Sequence, residues 1–154
     1  EFGSYTVLPI VKLLGGKYER IKISSILAEN GVDLYTKIYF DYPEGMATSK
    51  TGVGVKSEGQ LLISGTKGYI LAESPWWLTR KFQVRYEDPA KIETYTPNFL
   101  GDGLRYEIGE FALRINGRGG HPFKLTEEET LAMAGVVECF MEERKRLREA
   151  FWKQ

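Results

Sequence analysis

The chain has 154 residues, 42% of them apolar, with 21 Lys and Arg balanced by 21 Asp and Glu. That length fits one domain with an ordinary core, and the charge balance removes the electrostatic basis of a nucleic-acid binder. One cysteine excludes an internal disulfide, one Cys with one His excludes a structural zinc site, and no apolar run reaches the roughly 20 residues of a membrane span.

The first four residues, Glu1-Phe2-Gly3-Ser4, read as a cloning scar, with Gly3-Ser4 either scar or native, and residues 5–154 are expected to be one domain of a longer protein. Tyr5 to Leu14 carries apolar residues at helical spacing and ends at Gly15-Gly16. Pro9 is expected in its first turn, where a missing N–H is tolerated. The period then changes to two. Tyr18–Leu27 sets Ile21, Ile23, Ser25 and Leu27 against Arg20, Lys22, Ser24 and Ile26. Asn30-Gly31 is a hairpin turn, and Val32–Asp41 sets Leu34, Thr36, Ile38 and Phe40 against Tyr35, Lys37 and Tyr39. Met46–Lys56 is a Thr/Val/Gly strand in which Gly52 and Gly54 mark a bulge or a close approach.

Strands are expected at Gln60–Ser64 and Gly68–Glu73 around Thr66-Lys67, then at Phe82–Tyr86 and Ile92–Tyr95 around Glu87-Asp88-Pro89-Ala90. Leu104, Ile108, Phe111, Ala112 and Ile115 form one helical stripe that ends at Asn116-Gly117. Thr126 with Glu129 is a capping box that opens a helix reaching about Trp152. The fold class is therefore α+β: an open, mostly antiparallel sheet of about seven strands with helices packed on one face.

Several residues are candidates for chemistry. Gly101-Asp102-Gly103 opens a helix with Arg105, Tyr106 and Glu107 in its first turn. This is either a polar lip around a ligand or simple helix capping by Asp102 and Glu107. Tyr5 is either a packing residue or a proton donor to a substrate oxygen. His121, in Arg118-Gly119-Gly120-His121-Pro122, reads as a solvent-exposed loop residue, and Cys139 as a buried, inert thiol. Trp76 and Trp77 after Pro75 are costly to leave in water. They form either a ligand shelf or a cap on the sheet edge. Arg144-Lys145-Arg146 with Arg148 is interleaved with Glu142, Glu143 and Glu149 and reads as a solvated helix face. Tyr35, Lys37 and Tyr39 beside Gly52 and Gly54 suggest a bare sheet face used as a dimer interface. No dinucleotide-binding, phosphate-loop, nucleophile-elbow or metal-ligand motif occurs.

Four segments in this order resemble the C-terminal domain of the Gfo/Idh/MocA oxidoreductases, the glucose-fructose oxidoreductase and inositol dehydrogenase family. They are Gly3–Gly15, Gly65–Trp77, Phe82–Pro89 and Gly101–Gly117. With the closing helix the match covers nearly the whole chain. A single cysteine and no visible signal peptide make a reducing, cytoplasmic setting the expectation. The resemblance implies a full-length NAD- or NADP-dependent dehydrogenase of a sugar or sugar derivative. It implies an N-terminal Rossmann domain as intramolecular partner and a homodimer formed through the sheet face. No cofactor or metal site is expected in this chain. The family's Glu-Lys-Pro motif is absent, and its Asp partner falls at position 1, occupied by Glu1. Tyr5 matches the family's proton-transfer His/Tyr position, and Arg105, Tyr106, Trp76 and Trp77 become expected substrate contacts. The resemblance thus implies an isolated chain that is inactive. The alternative is a non-catalytic dimerising interaction module attached to another activity.

Overall fold

The seven strands form where the period-two alternation places them, within a residue or two for six of them. The computed structural model describes residues 3–101, 103–117 and 124–151. Its elements run α1 (Gly3–Leu14), β1 (Arg20–Leu27), β2 (Asp33–Tyr42), β3 (Gly45–Gly52), β4 (Leu61–Gly65), β5 (Gly68–Ala72), β6 (Phe82–Tyr86), β7 (Ile92–Tyr95), α2 (Leu104–Ile115) and α3 (Glu127–Phe151), with a 3-10 turn at Trp76–Leu78. Among the described residues every strand pairing is antiparallel, and the class is α+β, as expected. The strands do not form one sheet. They divide into β1-β2-β3 and β4-β5-β6-β7. The predicted third strand ends early, at Gly52, and residues 53–60 contain no strand. Gly54 and Gly59 lie in that stretch, and glycine weakens strand pairing.

The chain forms two compact units, residues 1–56 with 124–154, and residues 57–123. In the first, α1 and α3 cover the inner face of β1-β2-β3. The core is Val7, Ile10 and Val11 of α1, Ile38 and Phe40 of β2, and Val136 of α3. Tyr18 meets Phe40 edge-on at 5.6 Å between ring centres. The polar groups on this face satisfy one another: Ser25 and Thr36 hydroxyls lie 2.9 Å apart, and Thr6 of α1 meets buried Ser49 of β3 at 2.6 Å. Pro9 is not in the first turn, because the helix begins at Gly3. It therefore stands mid-helix and withholds the N–H that would reach the Tyr5 carbonyl.

The Asn30-Gly31 turn closes β1–β2, with Gly31 at φ 79° and the Asn30 side chain accepting the Val32 N–H at 3.1 Å. Gly52 is glycine because of its own sheet. A Cβ there would lie 2.5 Å from the Leu34 carbonyl oxygen, and Gly54 N–H donates to that same oxygen at 3.0 Å. The close approach read from the sequence is thus made by β2.

The capping box forms as predicted. Thr126 Oγ1 accepts the Glu129 N–H at 3.1 Å, and Glu129 accepts the Thr126 N–H at 2.8 Å. Glu129 also accepts Lys12 Nζ at 2.8 Å, tying α3 to α1. We expect Thr126→Ala to lower unfolding free energy by about 1 kcal/mol in urea titrations. The Lys12 hydrogen bond, then the Thr126 backbone, hold the Glu129 carboxyl below its usual range. A lowered folded pKa contributes stability above the unfolded carboxylate value, and that contribution is lost as pH falls through the folded value. Glu129→Gln should therefore flatten the acid limb of the stability–pH curve below about pH 4.3, with little change in its shape at neutral pH.

In the second unit the four strands form an antiparallel sheet. Leu61, Ile63, Ile70, Ala72, Phe82 and Val84 share one face by register; Leu62, Ser64, Tyr69, Leu71, Gln83 and Arg85 share the other. The α2 stripe, expected to pack inward, is exposed.

Candidate functional site

The Pro-Trp-Trp segment is positioned by Gly59. Thr66-Lys67 closes the β4–β5 hairpin, and β5 leads through Ser74-Pro75 into the 3-10 turn. Trp76 N–H donates to the Gly59 carbonyl at 3.1 Å, and Gly59 adopts φ 63°. A Cβ at Gly59 would lie 2.9 Å from Ser74 Oγ and 3.6 Å from the Trp77 ring. The two indoles meet edge-on at 6.3 Å. Trp76 is half-buried, whereas Trp77 is 51% exposed. One ring therefore covers the chain itself and the other offers a face to solvent.

Arg105 and Tyr106 open α2. The Tyr106 hydroxyl accepts the Leu100 N–H at 2.8 Å, and its ring meets Phe99 edge-on at 6.1 Å. Gly101, at φ 71°, turns the chain beside the Arg105 guanidinium. The residue at the helix start, Gly103, supplies no side-chain cap. Asp102 and His121 lie outside the described residues. Arg105 is exposed and carries its forked donor into solvent.

Tyr5 belongs to the first unit, in the first turns of α1, and is 56% exposed. On the outer face of β1-β2-β3, Tyr35, Lys37, Tyr39 and Gly52 lie together by register, with Lys37 Nζ 5.6 Å from the centre of the Tyr35 ring. Gly54 follows the end of β3. Tyr39 remains exposed. The same face holds Lys22 and Lys50, and Arg20 paired to Asp41 at 2.6 Å. Alternation groups Arg20 with Lys22 and Lys37 with Tyr39, and the β1–β2 register puts the two sets on one face. Cys139 is half-buried, not fully enclosed, and lies beside the Tyr18 hydroxyl. Burial, then the thiol, raises the Tyr18 pKa.

One polar cluster was not anticipated. Glu93 of β7 accepts the Tyr95 hydroxyl at 2.8 Å and the Tyr86 hydroxyl at 3.0 Å. These bonds, Tyr95's first, hold the Glu93 carboxyl below its ordinary range and push both phenols up. Lys91 Nζ sits 4.1 Å from the centre of the Tyr86 ring, and Phe82 stacks on Tyr95 at 5.0 Å. A carboxylate kept ionised between two protonated phenols anchors hydrogen bonds and is a poor proton donor. The signal was the same-face spacing of Glu93 and Tyr95 opposite Tyr86, which needs the strand register to be read.

In the first unit, Ser25, Leu27, Asn30, Gly31, Leu147 and Arg148 help line a cleft of about 430 Å³. Arg144 Nε donates to the Gly31 carbonyl at 3.0 Å beside it. Among the described residues, no group of three or more His, Cys, Asp or Glu side chains is placed to hold a metal ion, and no helix is long and apolar enough to cross a membrane.

No protein-family model matches the sequence, and no curated protein matches it. Solved structures do. One is the putative oxidoreductase yvaA from Bacillus subtilis, with 18% identity and a TM-score of 0.64 over 94% of this chain and 49% of that one. Another is a putative oxidoreductase from Klebsiella pneumoniae, with 14% identity and a TM-score of 0.64 over 95% of this chain and 51% of that one. At such identities the likeness is one of fold. The chain spans about half the length of the solved structures it matches, so its fold is shared with about half of each.

Proposed function

We propose that this chain is the substrate-binding and oligomerisation half of an NAD(P)-dependent dehydrogenase of the Gfo/Idh/MocA type, acting on a sugar or sugar derivative. The observation that carries the reading is the coverage: the fold matches nearly all of this chain but only half of each oxidoreductase-type chain. The ordered sequence segments and the exposed Trp77 and Arg105 support it. Trp77 offers an indole face for sugar C–H surfaces, and Arg105 a fork for hydroxyl or carboxylate oxygens. In this reading Tyr106 positions that lip, Trp76 supports Trp77, and Tyr5 passes a proton to or from a substrate oxygen. The nicotinamide cofactor, bound by the other half, supplies the hydride chemistry.

The test is a comparison of this chain with the full-length protein. NAD(P)H fluorescence should change on adding the full-length protein and stay unchanged with this chain. Turnover of any sugar by the chain alone would overturn the reading. In the full-length protein, Tyr5→Phe should lower kcat by roughly 10²–10⁴-fold, the range of a lost general acid or base.

The same reading assigns homodimer formation to the outer face of β1-β2-β3, through Tyr35, Lys37, Tyr39, Gly52 and Gly54. Light scattering should give a dimer mass that Tyr39→Asp halves. A clean monomer at micromolar concentration would remove this assignment.

A further inference from the structure

Helix α2 has two unlike sides. On one, Tyr106, Glu110 and Leu113 are half-buried, at i, i+4 and i+7. Tyr106 is the side's anchor, through the Leu100 N–H and the Phe99 ring. On the opposite side stand Leu104, Ile108, Phe111 and Ile115, which are 60–68% exposed. A surface helix ordinarily turns its apolar stripe inward and its charges outward. Here the glutamate-bearing side is the less exposed one, and four large apolar residues in one row are exposed. Such a contiguous apolar row marks an interaction surface.

We propose that this stripe is the docking surface for the cofactor-binding half of the full-length protein. The inference rests on the proposed function and adds to it where the two halves meet. Two observations select this occupant. First, the matched solved chains extend for as much chain again as this one. Second, the stripe is small. α2 has 12 residues, so the row is about 18 Å long at 1.5 Å per residue. A free-standing dimer ordinarily needs about 800 Å² and 20–30 residues from each copy, more than four side chains on one short helix supply. A domain on the same chain needs less, because covalent linkage holds it at an effective concentration of about millimolar. The row contains no charge, so the surface it meets is apolar. Arg105 and Glu107 flank it as a polar rim.

The test is hydroxyl-radical footprinting of this chain and of the full-length protein, read by mass spectrometry at Phe111, Ile108 and Leu104. These residues should react readily in the chain alone and roughly fivefold or more slowly in the full-length protein, as expected for the core of an interface. Equal reactivity in both overturns the proposal. Protection already present in the chain alone also overturns it; if that protection grows with concentration, a second copy is the occupant, and if not, the chain covers the stripe itself. Phe111→Asp is the second arm. It should leave the melting temperature of the chain alone unchanged and lower that of the full-length protein; a fall in the chain alone counts against the proposal. NAD(P)H binding is measured on the same samples. Protection without nucleotide binding upholds the docking surface and removes the redox reading, whereas nucleotide binding without protection does the reverse.

Discussion

Phe40→Ala is expected to lower the unfolding free energy of the first unit by about 3–5 kcal/mol, the usual cost of removing a buried phenylalanine. Phe40 is 1% exposed and sits among Val7, Ile10, Val11, Ile38 and Val136, contributed by α1, β2 and α3. It is therefore the residue on which both helices and the sheet converge. Its truncation leaves a void that the flanking β2 ladder to β1 and β3 keeps from collapsing. The Tyr18 edge contact is lost with it. Domains of this size are stable by about 5–15 kcal/mol, so the loss is a large fraction of the whole. Urea unfolding followed by far-UV circular dichroism should show a midpoint lower by about 2 M, given slopes of about 1–3 kcal/mol per molar. Phe40→Leu keeps most of the volume and should cost much less. A loss below about 1 kcal/mol for Phe40→Ala would mean that this cluster is not the core.

Gly68→Ala should disrupt the second unit by a different route. Gly68 adopts φ 153°, and a Cβ there would stand 2.3 Å from the Arg85 carbonyl oxygen and 3.0 Å from the Tyr86 Cα. Both obstacles are backbone of β6, so no side-chain rotation relieves the clash. The Gly68↔Tyr86 pairing must open, at the point where the β4–β5 hairpin joins β6. Overpacking costs about 1–3 kcal/mol and a strained φ a similar amount, so roughly 2–6 kcal/mol is expected. Gly65→Ala is the internal control. A Cβ at Gly65 would meet the Gly68 carbonyl at 3.6 Å, an ordinary contact. Hydrogen exchange should therefore rise across β4–β6 in Gly68→Ala and change little in Gly65→Ala. Equal effects of the two would refute the steric argument.

The dimer and site assignments differ in how legible they were. Trp76 and Trp77 are conspicuous in any reading because of their apolar area. The structure added that one ring is half-covered and the other open. Arg105 and Tyr106 read alike as first-turn residues of a helix, yet Tyr106 is engaged with Leu100 and Phe99 while Arg105 faces solvent. The Tyr86–Glu93–Tyr95 cluster was hidden, because residues 7 apart in sequence meet only through strand pairing.

Local rules determined much of this protein. Alternation in β1 and β2, the Asn30-Gly31 turn and the Thr126–Glu129 capping box all form as read, since each depends on groups within a few residues. Only the tertiary structure decided that the strands divide three and four, that Pro9 stands mid-helix, that Gly52 yields to the Leu34 carbonyl, and that the α2 stripe is turned outward. An apolar period says which residues share a face, because helix and pleat geometry are local. What covers that face is set by long-range packing, which one segment's pattern does not encode.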